Sequence, residues 1–149
     1  MAPVTSGTYV IANEADLRLT LLGGYADVRT QVVLLPPDEL GMEKAQQWQV
    51  EVLDSGNVTL RNVASGTYMG YDHDSYDWEV VFGYLEPDEW QLREVTTGDG
   101  GVQLVVADGP DDGSTVAVGL HKLGVFPPLA GLRPADQDDF TQVWYLTAV

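Results

Sequence analysis

The residues best suited to acid–base chemistry in this 149-residue sequence are two histidines, His73 and His121. A serine hydrolase needs a serine, a histidine and an acid held together, and no Gly-x-Ser-x-Gly turn is present to expose such a serine. The chain also lacks cysteine, which excludes a thiol nucleophile and cysteine-bound metals. We therefore predict a protein that is not an enzyme, with both histidines as ordinary surface residues.

One acidic segment has the oxygen-rich composition of a calcium-binding loop: Asp72-His73-Asp74-Ser75-Tyr76-Asp77. An EF-hand loop requires a glycine at its sixth position and a glutamate at its twelfth. Those positions hold Asp77 and Gly83, so the pattern fails. No Gly-rich phosphate-binding loop occurs either. The sequence predicts neither a metal site nor a cofactor.

The composition is strongly acidic, with 23 Asp and Glu residues against 7 Lys and Arg and a formal net charge of -16. Such a surface repels phosphates, so we expect no nucleic-acid or membrane partner, and self-repulsion favours a monomer. With 44% hydrophobic residues, the chain can form a single domain over 1–149. No apolar run approaches the roughly 20 residues of a membrane helix and no signal peptide is recognisable, so we expect a cytoplasmic protein.

Three short segments begin with a tryptophan, at Trp48, Trp90 and Trp144. Polar and apolar residues alternate after each tryptophan, which is typical of a strand with one buried face. Because tryptophan buries a large apolar area, we expect these three side chains to anchor the core. Their unequal separations indicate three copies of one unit with loops of different length.

The other strand signals divide the chain into three units, at about 1–52, 53–95 and 96–149, with four short β-rich runs in each. In the first unit, the runs before the tryptophan strand are 7–13, 17–22 and 30–35. In the second unit they are 57–63, 67–71 and 78–85, and in the third they are 102–107, 115–121 and a less regular 124–128. Twelve strands in three pseudo-repeats predict an all-β fold, the β-trefoil. In this fold a closed barrel with a hairpin cap leaves no exposed sheet edge.

A glutamine stands two residues before two of the tryptophans, in Gln46-Gln47-Trp48 and Gln142-Val143-Trp144. This motif resembles the Gln-x-Trp found near the end of each repeat in ricin-type lectin trefoils. The middle unit has Asp88-Glu89-Trp90 instead, which breaks the pattern. The motif therefore indicates the trefoil fold more strongly than it indicates a sugar ligand.

A sugar site requires an early aspartate, an aromatic platform and a later amide gathered in one unit. The second unit offers Asp72 with Tyr71 or Tyr76, but no clear later asparagine or glutamine. A ricin-B-like carbohydrate-binding module, a lectin, is accordingly the alternative interpretation of this sequence.

Several further stretches carry a second resemblance, namely 6–13, 32–38, the strands at Trp48 and Trp90, and the end of the chain from 126–128 to 142–144. In order and spacing they resemble the fungal β-trefoil inhibitors of serine proteases, the group of cospin and cnispin. The mycocypins, trefoil inhibitors of cysteine proteases, share 23–26 in outline. The resemblance implies inhibition by an exposed loop on a rigid barrel, with a trypsin-like serine protease as the partner and a role in defence.

The S1 pocket of a trypsin-like protease accepts arginine or lysine, and only seven basic residues are available. Arg18, Arg61 and Arg93 fall within predicted strands and are poorly placed to protrude. The remaining basic residues are Arg29, Lys44, Lys122 and Arg133. Arg29 lies in a loop of the kind that the inhibitor family uses, so the expected protease-binding loop is Tyr25, Ala26, Asp27, Val28, Arg29 and Thr30. Arg133 and Lys122 are secondary candidates. A mycocypin-type inhibitor of cysteine proteases and a storage trefoil without a site are the remaining hypotheses.

Overall fold

The computed structural model describes residues 4–37, 41–73, 79–95, 100–110, 112–121, 124–125 and 127–149. Within these ranges the chain forms twelve β-strands and three short 3-10 helices. The strands are β1 (Gly7–Ala12), β2 (Arg18–Leu21), β3 (Thr30–Leu35), β4 (Gln47–Val52), β5 (Val58–Asn62), β6 (Tyr68–Gly70), β7 (Phe82–Tyr84), β8 (Trp90–Glu94), β9 (Val102–Val106), β10 (Val116–Leu120), β11 (Ala130–Pro134) and β12 (Tyr145–Ala148). No helix in the described ranges is long and apolar enough to cross a membrane.

Antiparallel pairing closes the sheet into a barrel. Strand β1 pairs with β4 and β12, β4 pairs with β5, β5 with β8, and β8 with β9. A bridge between Val102 and Trp144 joins the start of β9 to the residue before β12 and completes the ring. Each strand of the ring, with Trp144 leading into β12, therefore has a partner on both sides, as a closed sheet requires.

Three hairpins, β2–β3, β6–β7 and β10–β11, cover one end of the barrel. They contact one another through the pairing of β3 with β7 and through the bridges Val33–Leu129 and Val80–Gly131. A barrel of paired strands with three capping hairpins is the β-trefoil, and the predicted fold class is confirmed.

The three tryptophans lie in the core, as predicted. Trp48, Trp90 and Trp144 have no exposed surface and belong to the main cluster of buried apolar residues. Each indole N–H donates a hydrogen bond of 3.0 Å to a carbonyl of the hairpin in its own unit: Trp48 to Leu19, Trp90 to Met69 and Trp144 to Val118. This repeated contact places the three hairpins in equivalent positions and allows their residues to be compared one by one.

One predicted strand is in the wrong place. The third run of the third unit was expected at 124–128, but β11 begins at Ala130, after the two prolines. Proline lacks a backbone N–H and cannot donate to a sheet, although the Pro128 carbonyl accepts a 2.8 Å hydrogen bond from Leu34 N–H. The small residues Ala130 and Gly131 weaken the local strand signal, and β11 forms because it pairs along its whole length with β10.

Candidate functional site

A cleft of about 570 Å³ lies at the outer end of the second hairpin. It is lined by Val28, Arg29, Tyr71, Asp72, His73, Tyr84, Leu85, Glu86, Pro87 and Asp88. Aromatic, carboxylate, imidazole and guanidinium groups therefore meet in one concave surface. A second cleft of about 520 Å³, beside Arg18, has no aromatic residue among its described lining residues.

The absence of a side chain at Gly70 shapes the floor of the cleft. Gly70 pairs across the β6–β7 hairpin with Phe82, which precedes Tyr84 by two residues. A Cβ atom at Gly70 would collide with the Asp88 carboxylate and would stand 2.7 Å from Cδ2 of Tyr84. The tyrosine ring and the carboxylate can thus lie together over the hairpin backbone only because this position is glycine.

Tyr84 supplies a half-buried aromatic ring at the end of β7. Its ring meets Phe82 edge-to-face, and its hydroxyl accepts a 3.3 Å hydrogen bond from Nη1 of Arg29. Burial raises the pKa of the Tyr84 hydroxyl above its ordinary value, Arg29 opposes that shift, and Asp72 is among the carboxylates that add to it. The hydroxyl is therefore protonated at neutral pH and can donate to a ligand.

Asp88 places a carboxylate between the backbone and an imidazole. Its Oδ2 accepts from the Tyr71 N–H at 3.2 Å, and its Oδ1 lies 2.7 Å from Nε2 of His73. The His73 ring contacts the Tyr71 ring in a tilted arrangement, with 4.4 Å between centroids, and its Nδ1 is 3.7 Å from a carboxylate oxygen of Asp108. Because Tyr71 is buried against Trp90, the pair formed by Asp88 and His73 is held in a fixed position.

Arg29 reaches the cleft from the preceding unit. Its backbone has a φ of 68°, a left-handed conformation that is uncommon for residues other than glycine, and its N–H donates to the Gly83 carbonyl at 2.9 Å. The guanidinium stands 4.5 Å from the centre of the Phe82 ring and 3.6 Å from a carboxylate oxygen of Asp72. The side chain is consequently part of the cleft wall, and its contacts are made across two units.

The equivalent positions of the other two units are occupied differently. Where the second unit has Asp88, the first and third have Gln46 and Gln142, both almost fully buried. Each glutamine donates from Nε2 to a proline carbonyl at 2.9 Å, Gln46 to Pro36 and Gln142 to Pro134. A carboxylate cannot donate this hydrogen bond. The aspartate is instead directed towards His73 and the cleft, with 18% of its side chain exposed.

The aromatic ring is likewise confined to the second unit. The position of Tyr84 corresponds to Leu35 in β3 and to Arg133 in β11. Leu35 is buried, and the guanidinium of Arg133 lies 3.4 Å from a carboxylate oxygen of Asp139. Within the described residues, the second unit alone combines an aromatic ring with a carboxylate at these two positions.

Only part of the expected protease-binding loop lines the cleft. Val28 and Arg29 line the cleft, whereas Tyr25 is 62% exposed outside its lining and Ala26 and Asp27 are exposed. Thr30 begins β3 and donates from Oγ1 to the Asp27 carbonyl at 2.7 Å. Of the secondary candidates, Arg133 is half-buried beside Asp139, and Lys122 lies outside the described residues.

Sequence reasoning found Asp72 but missed Tyr84 and misjudged one histidine. Tyr84 fell inside a predicted strand, and Tyr71, one of the aromatic candidates, proves to be 2% exposed and serves as packing. Tyr76, the other candidate, lies outside the described residues. His121 was expected at the surface but is 7% exposed. The sequence signal that could have located this cleft is Asp88, which stands in the second unit where the other two units have glutamine.

The described residues contain no group of three or more His, Asp or Glu side chains arranged to hold a metal ion. What the cleft offers is a set of hydrogen-bond donors and acceptors around an aromatic face. Such an arrangement can bind a polar ligand with C–H groups on one side.

Comparison with known protein families gave one match, a model described as "Ricin-type beta-trefoil lectin domain-like", over residues 44–117. The match spans just under half of the chain and includes all of the cleft residues except Val28 and Arg29. No match was found among curated protein sequences.

Solved structures similar to this chain include two fungal lectins. A ricin B-like lectin from Macrolepiota procera, determined in complex with lactose, has 19% identity and a TM-score of 0.79, with all of both chains covered. The Rhizoctonia solani agglutinin has 21% identity and a TM-score of 0.82, with 99% of this chain and 100% of the other covered. SeviL, bound to the asialo-GM1 saccharide, has 16% identity and a TM-score of 0.68 over 97% and 99% of the two chains. At these identities the likeness establishes the shared β-trefoil fold.

These findings correct the predicted function. The prediction of a trypsin-like serine protease inhibitor, with a target protease as partner, is wrong, because the family match and the similar structures are lectin-like. The contacts of Arg29 give a physical reason to abandon it as an S1 residue, since its guanidinium is engaged by Tyr84, Asp72 and Phe82. Only the trefoil part of the inhibitor resemblance stands, and the implied defence role loses its basis.

Proposed function

We propose that this protein is a carbohydrate-binding module and that the cleft of the second unit is its sugar site. The observation that carries the proposal is Asp88, a carboxylate at a position where both other units hold a buried structural glutamine. Within the cleft this carboxylate stands beside an aromatic ring, Tyr84, and an imidazole, His73.

Each group has a role that suits a sugar. The face of an aromatic ring carries negative charge density and attracts the C–H groups on one side of a pyranose, so Tyr84 is the platform. Asp88 and Asp72 are acceptors for sugar hydroxyls, and a hydrogen bond to a charged group is stronger than one between neutral groups. The Tyr84 hydroxyl, which is protonated at neutral pH, and Nη2 of Arg29 are donors.

The family match supports the same assignment. Residues 44–117 contain β6, β7 and the segment that bears Asp88, and thus most of the proposed site. The lactose and asialo-GM1 saccharide bound by two of the similar structures make galactose-containing glycans the first ligands to test. No catalytic role is proposed.

The test is binding of lactose, followed by calorimetry, to the wild type and to Tyr84→Ala. We expect the variant to bind at least about tenfold more weakly, because an aromatic contact of about 1.5 kcal/mol corresponds to that factor. Tyr25→Ala is the matched control, since Tyr25 is exposed on the neighbouring loop but outside the cleft, and it should bind as the wild type does. A folded wild-type protein that binds neither lactose nor any other sugar on a glycan array would disprove the proposal.

A further inference from the structure

Two exposed apolar side chains border the proposed sugar site from different units. Val28, on the loop of the first unit, is 51% exposed, and Leu85, directly after Tyr84, is 67% exposed. Both line the cleft. Isolated apolar residues on a surface are common, but these two line the same cleft as the Tyr84 ring.

The charges in the cleft restrict what that surface can receive. Among the described lining residues there are three carboxylates, Asp72, Glu86 and Asp88, and one guanidinium, Arg29. Asp72 lies 3.6 Å from that guanidinium, so part of its positive field is already neutralised. The whole molecule carries a net charge of -16, which adds a long-range repulsion of anions. An acidic sugar is therefore disfavoured in this cleft.

We propose that the ligand is an uncharged glycan with an apolar group next to the ring bound at Tyr84, and that Val28 and Leu85 contact this group. The inference rests on the proposed sugar site and specifies the ligand class that this site selects. Rejection of anions results from the carboxylates, whereas preference for the apolar group results from the area of Val28 and Leu85 that the ligand removes from water.

The experiment compares methyl and phenyl β-glycosides of galactose, N-acetylgalactosamine, glucose and N-acetylglucosamine by calorimetry. For the sugar that binds, we expect the phenyl glycoside to bind about fivefold more tightly, because the ring buries apolar surface that the methyl group does not. The methyl β-uronide of the sugar that binds should bind more weakly than the parent methyl β-glycoside, because a carboxylate replaces its hydroxymethyl group.

Variants identify the residues responsible. In Val28→Thr and in Leu85→Ser, the ratio of phenyl to methyl affinity should fall towards one. Val125→Thr is the matched control, because Val125 is 49% exposed and does not line the cleft, and it should keep the wild-type ratio.

The outcomes separate the two proposals. Methyl glycosides that bind without any gain from the phenyl group, or a gain that survives both cleft variants, would overturn this inference and leave the sugar site intact. Tighter binding of the uronide than of its parent methyl glycoside would overturn the exclusion of anions. Absence of binding by every glycoside would overturn the sugar site and this inference together.

Discussion

Asp88 of the second unit differs in chemistry from the glutamines at the equivalent positions of the other two units. Gln46 and Gln142 use their amide N–H to satisfy a proline carbonyl, and in doing so they are buried. Asp88 has no proton to donate, so it accepts from the Tyr71 N–H and pairs with His73. The exchange of an amide for a carboxylate thus turns a structural position into part of a cleft.

Replacement of Asp88 by glutamine should undo this exchange. In Asp88→Gln we expect the amide to donate to the Leu85 carbonyl, as its counterparts do to proline carbonyls, so that the free energy of unfolding is maintained. Sugar affinity should fall at least about tenfold, since a hydrogen bond to a charged group contributes about 1.5–3 kcal/mol. Urea unfolding and calorimetry with lactose measure the two effects.

A control for the loss of charge is Asp138→Gln, which removes one carboxylate at an exposed position outside the cleft. Unchanged sugar binding in a folded Asp88→Gln protein would show that this carboxylate does not contact the ligand.

At the level of elements, the β6–β7 hairpin and the loop before β3 build the cleft together. The hairpin contributes Tyr84, and the loop contributes Arg29, whose left-handed backbone lets its N–H bond to the Gly83 carbonyl. The floor depends on Gly70, where no side chain separates the hairpin backbone from the tyrosine ring and the carboxylate. The glycine of the β6–β7 hairpin therefore permits the close approach of the Tyr84 ring and the Asp88 carboxylate.

Gly70→Ala tests this dependence. The added methyl group would force Tyr84 and Asp88 to move, so we expect a protein that folds with about 1–3 kcal/mol less stability and loses its affinity for sugar. Gly124→Ala is the control, because a Cβ atom there meets nothing within 4 Å and its φ is not positive. Stability is measured by urea unfolding and affinity by calorimetry. Full sugar binding by Gly70→Ala would contradict the proposed floor.

The whole molecule has threefold architecture but one cleft of this kind in the described residues. The positions that correspond to Tyr84 are occupied by a buried leucine and by an arginine beside Asp139. Three equivalent units therefore do not imply three equivalent sites. The predictions of a monomer, of a cytoplasmic location and of unit boundaries near 52 and 95 stay predictions.

We accordingly expect one sugar to bind per chain. Calorimetric titration with lactose should give a stoichiometry of one, and Tyr84→Ala should remove that site without exposing another. A stoichiometry of two or three in the wild type would mean that the first or third unit also binds, and this would contradict the role assigned to Asp88.

The sequence by itself determined the β-trefoil fold, because the patterns that predict its strands are local. Alternation of polar and apolar residues, turn residues between short runs and a tryptophan at the start of each closing strand follow from how a single strand meets a core. These patterns correctly predicted β3 at Thr30–Leu35 and the burial of the three tryptophans. The same local reasoning failed at β11, where pairing with β10 outweighs a weak strand signal.

Only the tertiary structure brought the residues of the proposed site together. Arg29 is far in sequence from Asp72 and Tyr84, and its side chain meets theirs because β3 of the first hairpin pairs with β7 of the second. Nothing in the residue types shows that Tyr71 is buried while Tyr84 is only half-buried, since both belong to strand-like runs rich in aromatic residues. The resemblance to protease inhibitors rested on short hydrophobic motifs that form the common barrel, so it identified the architecture and not the ligand.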